Sequence, residues 1–120
     1  MQLHPVLNEG TFCFLSLPTG SSIPPEALLT FHEQEGPTII LETSLVKKYG
    51  YIYIENHAFA RITLSAQTDL NAVGITATVS QVLAEHNISC NLVAAYHHDH
   101  LFVPTDKKEQ ALALLKEITI

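Results

Sequence analysis

The chain has 120 residues, 47% hydrophobic and 15% charged, with a net charge of −6 and a pI near 5.5. That length suits one ordinary domain or two very small halves sharing a core, and the composition is globular rather than disordered. The six Lys and Arg residues never cluster beyond pairs, so the basic stripe that nucleic acid or an anionic membrane needs is missing.

The first residues, M-Q-L-H-P, have no cationic lead and no apolar stretch behind them, so no signal peptide is expected. No apolar run approaches the roughly 18 residues that span a bilayer. Cys13 and Cys90 are far apart and too few for a disulfide framework. Reduced core thiols and a cytoplasmic location are expected, with a single bridge as the alternative.

In chain order, Gly10–Leu17 has the aromatic content of a strand, ended by Pro18 and Gly20. Leu28–Glu33 and Thr38–Glu42 flank the turn residues Gly36 and Pro37 and predict a hairpin. Ser44–Tyr49 predicts a short helix, N-capped by Ser44 and stopped by Gly50. Tyr51–Ile54 predicts another short strand.

Ala58–Ala66 alternates, with Ala58, Ala60, Ile62 and Leu64 on one face. Thr68 or Asp69 offers an N-cap for a helix over about Leu70–His86. Its stripe is Ile75, Val79, Val82, Leu83 and His86, and Asn87 supplies a left-handed stop. Ile88–Tyr96 alternates again, and Leu101–Val103 predicts a strand closed by Pro104. Asp106 to Glu109 resembles a capping box for a last helix with Ala111, Leu114, Leu115 and Ile118 on one face.

The second half therefore reads β-α-β-β-α. It predicts an α+β, ferredoxin-like antiparallel sheet with both helices on one face. That layer takes a fourth strand, for which Thr11–Leu17 is the expected source.

The run D-L-N-A-V-G-I-T-A-T-V-S-Q-V-L-A-E-H-N-I-S-C-N, Asp69–Asn91, resembles the ACT domain signature, with Gly74 as its loop glycine and Asn87-Ile88 as its closing pair. The tail Y-H-H-D-H-L-F-V-P and the hairpin T-F-H-E-Q-E-G, Thr30–Gly36, resemble a small branch with two ACT-like halves in one chain. The resemblance implies an ACT-like half over 1–56, an ACT domain over 57–120 and one compact unit. It also implies a stand-alone, non-catalytic regulatory or sensor module that forms dimers or larger homo-oligomers. Such modules bind a small molecule, often an amino acid, at a subunit or half-domain interface. Within these 120 residues no catalytic domain is expected beside the ACT-like halves, so a vestigial ligand loop in a protein-interaction module is the alternative.

The candidate ligand-binding residues are Gln67, Asp69, Leu70, Asn71, Ala72, Val73 and Gly74. A helix N-terminus offers unpaired N–H groups and a positive dipole end to a carboxylate. Gly74 allows close approach to the backbone, and Asp69 or Asn71 can accept from an α-amino group. The plainer reading is that Asp69 caps the helix and Gly74 permits tight packing.

His97, His98 and His100, with His57 as a third ligand, are the one candidate metal set, but typical ligand spacings are absent. No activated nucleophile accompanies Asp99 and the histidines, so no catalytic residue and no cofactor is expected. The favoured reading of His97–His100 is the bend between two strands. Glu33 and Glu35 share a strand face, where they can hold a cation or serve as a solvated edge.

Overall fold

The computed structural model describes residues 1–54 and 57–120. The expected division after residue 56 lies outside the described residues. Strands β1 (Pro5–Leu7), β2 (Phe12–Ser16), β3 (Leu29–Glu33), β4 (Gly36–Glu42) and β5 (Ala58–Leu64) precede helix α1 (Ile75–Glu85). Then come β6 (Asn91–Ala94), β7 (Asp99–Pro104) and helix α2 (Lys108–Lys116). The chain forms two compact units, Gly10–Phe59 and Met1–Glu9 with Ala60–Ile120.

In the Gly10–Phe59 unit, β4 lies antiparallel between β3 and β2, pairing Phe31 with Thr38 and Phe14 with Ile40. The hairpin expected from Gly36 and Pro37 is present. Gly36 has φ +127°, and a Cβ there would sit 2.1 Å from the Leu17 carbonyl oxygen. Only glycine therefore lets the hairpin close beside β2, where the Leu17 N–H donates to Pro37 O at 2.9 Å. Cys13, Leu15, Leu17, Ile39, Leu41 and Val46 form the core, with Tyr49, Tyr51 and Tyr53 packed against it.

Two expectations here are corrected. Ser44–Tyr49 is not one helix but two 3-10 turns, Thr43–Leu45 and Lys47–Tyr49. Ser44 caps neither turn, although Gly50 does take the left-handed stop at φ 70°. So few residues cannot repay the cost of an α-helical nucleus. Tyr51–Ile54 is not a strand. The Tyr51 N–H instead donates back to Val46 O at 3.1 Å, and its ring stacks on Tyr49.

In the other unit the strand order is β1-β5-β7-β6. Alternation puts Ala60, Ile62 and Leu64 of β5 and Leu101 and Val103 of β7 against one face. There they meet Ile75, Val79 and Leu83 of α1 and Ala111 and Leu115 of α2. This is the expected ferredoxin-like layer with both helices on one side.

Its fourth strand is not Thr11–Leu17. β2 meets β5 only at Phe12–Phe59 and Cys13–Ala58, inside the Gly10–Phe59 unit. The place belongs to β1, antiparallel to β5 with Pro5 opposite Leu64 and Leu7 opposite Ile62. Pro5 lacks an N–H and suits an edge strand, while Leu3 just before it is 1% exposed and anchors the segment in the core.

Helix α1 begins at Ile75 rather than Leu70, because Gly74 at φ +98° breaks the helical backbone. Its far end follows expectation. Asn87 takes φ 57°, Ile88 N–H donates to Leu83 O at 2.9 Å and Asn87 N–H to Ala84 O at 3.0 Å. That is the double bond of a Schellman motif. The capping box before α2 does not form. Asp106 lies inside a 3-10 turn, Thr105–Lys107, and no side chain caps either segment. The chain reverses over Ala95–His98, closed by Ala95 N–H to His98 O at 3.1 Å, so Asp99 and His100 belong to β7 rather than to the bend.

Candidate functional site

The loop from Gln67 to Gly74 leaves the sheet under firm anchorage. Ser65 and Ala66 N–H groups donate to His4 O and Leu3 O, both at 3.1 Å. Asp69 then organises its own turn. Its carboxylate accepts from the Asn71 N–H at 2.8 Å, and its carbonyl accepts from Ala72 N–H at 2.9 Å. Neither Asp69 nor Thr68 is the N-cap of α1; Gly74 is, and no side chain bonds the first turn. The N–H groups of Ile75 and Thr76 therefore stand at the positive helix end without a capping oxygen. A Cβ on Gly74 would meet nothing within 4 Å.

The rest of the loop faces outward, with Leu70 61% and Val73 93% exposed. A hollow of about 50 Å³ lies beside it, lined by Thr68, Asp69, Ala72, Thr76, Ala94 and Asp99 among others. That is room for a water or two, far below the roughly 300–1,000 Å³ of ligand pockets. A ligand seated there needs a further wall.

Gln67 Nε2 lies 3.5 Å from His97 Nδ1, which brings the loop to the histidine bend. The three histidines of the bend have different surroundings. His97 is exposed, its ring edge-on to Tyr96 at 4.8 Å. His98 is half-buried, and its Nδ1 has no hydrogen-bond partner among the described residues. His100 Nδ1 lies 3.0 Å from Thr63 Oγ1. Burial first, then the charges of Arg61 and His98, holds His100 below the usual imidazole pKa, with Asp99 opposing. Among the described residues, no three His, Cys, Asp or Glu side chains are placed to hold a metal ion.

Both halves of the sequence match a family model: residues 56–117 match one ACT domain model and residues 1–58 match another. The chain belongs to the ACT domain family. A Vibrio cholerae protein of unknown function, described as a possible transport protein, is 36% identical and superposes with a TM-score of 0.87, over 99% of this chain and 91% of that one. An Agrobacterium tumefaciens protein shares the fold at 17% identity and a TM-score of 0.71, over 92% of this chain and 84% of that one. The aspartokinase α and β subunits share it at 10% identity and a TM-score of 0.63, over 92% and 93%. No curated protein matches the sequence.

ACT domains are small-ligand regulatory modules, and this ACT protein carries the loop glycine and the helix start of that signature. No helix among the described residues is long and apolar enough to cross a membrane. The larger concavity of this ACT protein was not anticipated from its sequence. It lies in the Gly10–Phe59 unit, and its walls come from residues scattered between Phe14 and His57. Its one sequence signal was the apolar Y-I-Y-I run, which folds without becoming a strand.

Proposed function

We propose that this ACT protein is a non-catalytic cytoplasmic sensor. It takes a small metabolite, foremost an amino acid, at Gln67, Asp69, Leu70, Asn71, Ala72, Val73 and Gly74. The reading keeps an ACT-like half over 1–56 and an ACT domain over 57–120. Its ligand sits at a subunit or half-domain interface, with a second copy of the chain as the favoured wall. The observation that carries the reading is the uncapped start of α1 behind Gly74, with φ +98° and open space over its Cα. A ligand carboxylate accepts from these N–H groups, and the remaining lone pairs of the Asp69 carboxylate receive an α-ammonium group. The free thiols of Cys13 and Cys90 support a reducing compartment.

The test is a thermal-shift screen of the twenty amino acids, followed by calorimetry and sedimentation. One or a few compounds should raise the melting temperature, and Gly74→Leu or Asp69→Ala should remove the rise without unfolding the protein. A flat screen rejects the reading. It would favour the second one, a protein-interaction module, which the exposed Leu70 and Val73 support.

A further inference from the structure

We propose that the Gly10–Phe59 unit holds a second small-molecule site, built for a ligand that carries an ammonium or guanidinium group on a flat apolar body. It stands apart from the Gln67–Gly74 loop and does not depend on that loop binding anything. The site is a trough of about 780 Å³. That volume falls inside the range of small-molecule pockets.

The trough exists because the Tyr51–Ile54 segment is anchored at one end and does not join a sheet. Tyr51 is held by its bond to Val46 O and by its stack on Tyr49 at 5.7 Å between centroids. Tyr51 and Tyr53 pack against the core of the unit, while Ile52 is 94% exposed. The segment thus stands as a wall facing Phe14 and Leu17, with aromatic and aliphatic surface on both sides. Such surfaces take a flat apolar body by burial and ring stacking.

Charge selects the ligand class. Among the described residues no Lys or Arg lines the trough and His57 is its one basic side chain, so no Lys or Arg there balances a carboxylate or phosphate. Among the described residues its one carboxylate is Glu33, which accepts a hydrogen bond from the Thr38 hydroxyl. That neighbour is neutral. Glu26 of the same unit, by contrast, is paired with Lys48 at 2.8 Å, the one salt bridge among the described residues. Glu33, which is exposed, therefore brings a negative charge without a Lys or Arg partner in the described lining to a mixed apolar and hydroxyl-lined recess. A cation over aromatic walls gains from both the carboxylate and the ring faces.

The probe is phenethylamine, with 2-phenylethanol as its neutral counterpart and phenylacetate as its anionic one. Each is titrated into the full chain and followed by amide NMR shifts. Phenethylamine should move Ser16, Thr38 and Tyr51–Tyr53 saturably and leave Ile75–Ala77 in place. Phenylacetate should not bind, and 2-phenylethanol should bind more weakly. Glu33→Gln should weaken phenethylamine by about fivefold, the effect expected of a solvent-accessible ion pair, and leave 2-phenylethanol unchanged. Gly74→Leu should leave all of this intact. Equal binding of amine and alcohol, no effect of Glu33→Gln, shifts centred elsewhere, or no saturable shift at millimolar amine would each overturn the proposal.

Discussion

Thr63 Oγ1 stands 3.0 Å from His100 Nδ1, linking β5 to β7 by a side-chain hydrogen bond. Asn8 Nδ2 lies 2.9 Å from Thr63 Oγ1 and 3.2 Å from Arg61 O. The Asn8 amide nitrogen can only donate, so Thr63 Oγ1 accepts from it and keeps both its proton and a second lone pair for His100 Nδ1. The relay runs from the residue after β1, through β5, to β7.

The burial of His100, with the nearby charge of Arg61, makes stability depend on pH. The folded pKa of His100 lies below its ordinary value of 6.5, so the unfolded chain binds the proton more readily. The stabilisation is complete above pH 6.5 and is lost as pH falls through the lower folded value. Arg61, His98 and Asp99 are the other charged or titratable groups acting on the ring. Urea denaturation at pH 7.5 and 5.5 should show a larger loss for the native chain than for His100→Gln, whose amide does not titrate but can still hydrogen-bond Thr63. Equal losses in the two proteins would refute the link between His100 and this pH dependence.

The helix face of the Met1–Glu9 and Ala60–Ile120 unit is close-packed. Leu83 is fully buried between β5, β7 and α2. Leu83→Ala should cost about 2–5 kcal/mol, the loss of transfer energy plus the cavity left behind. The shift of a denaturant midpoint at unchanged slope measures it, and a cost below about 1 kcal/mol would mean the site collapses around the gap.

Two left-handed glycines should respond to different degrees. Gly36→Ala drives a methyl into the Leu17 carbonyl, so the hairpin must open, at a cost of at least about 2 kcal/mol. Gly74→Ala meets open space and carries only the left-handed penalty, about 1–2 kcal/mol. Thermal melts of the two variants side by side decide this; equal losses would contradict the geometry.

Neither thiol should react in the native protein. Burial pushes the Cys90 thiol up to about 11 and also raises Cys13, which is 0% exposed. At pH 8 roughly a thousandth of Cys90 is thiolate. Ellman's reagent should titrate almost nothing until guanidinium is added and then two thiols per chain. Rapid native labelling of either cysteine would contradict this burial.

Periodicity made much of the fold readable. Ala60, Ile62 and Leu64 repeat every second residue because β5 buries one face. Ile75, Val79 and Leu83 repeat on a helical period because α1 covers that same face. Asn87 was readable because a non-glycine left-handed stop leaves few residue choices. The misses occur where a local bond beats the pattern. Asp69 bonds its own turn rather than the helix, and Tyr51 folds back onto Val46 although Y-I-Y-I has strand composition. The fourth strand was missed because Pro5–Leu7 is too short to show any period. The candidate loop was legible as one contiguous stretch with a glycine before a helix. The trough was not, since its walls come from four separate segments.

The pairing of Pro5–Leu7 with Ile62–Leu64 makes the duplicated halves unequal partners in folding. One small fold is threaded into another, with Gly10–Phe59 occupying the interval between an edge strand and its neighbour. A piece cut at the apparent seam would leave a bare flank on Ile62–Leu64 and a vacancy the size of Leu3. During synthesis the edge strand must wait for some fifty intervening residues before it has anything to zip against. Excising the intervening unit and joining Glu9 to Ala60 by a short turn, rather than cutting the chain in two, is the route to a self-sufficient miniature.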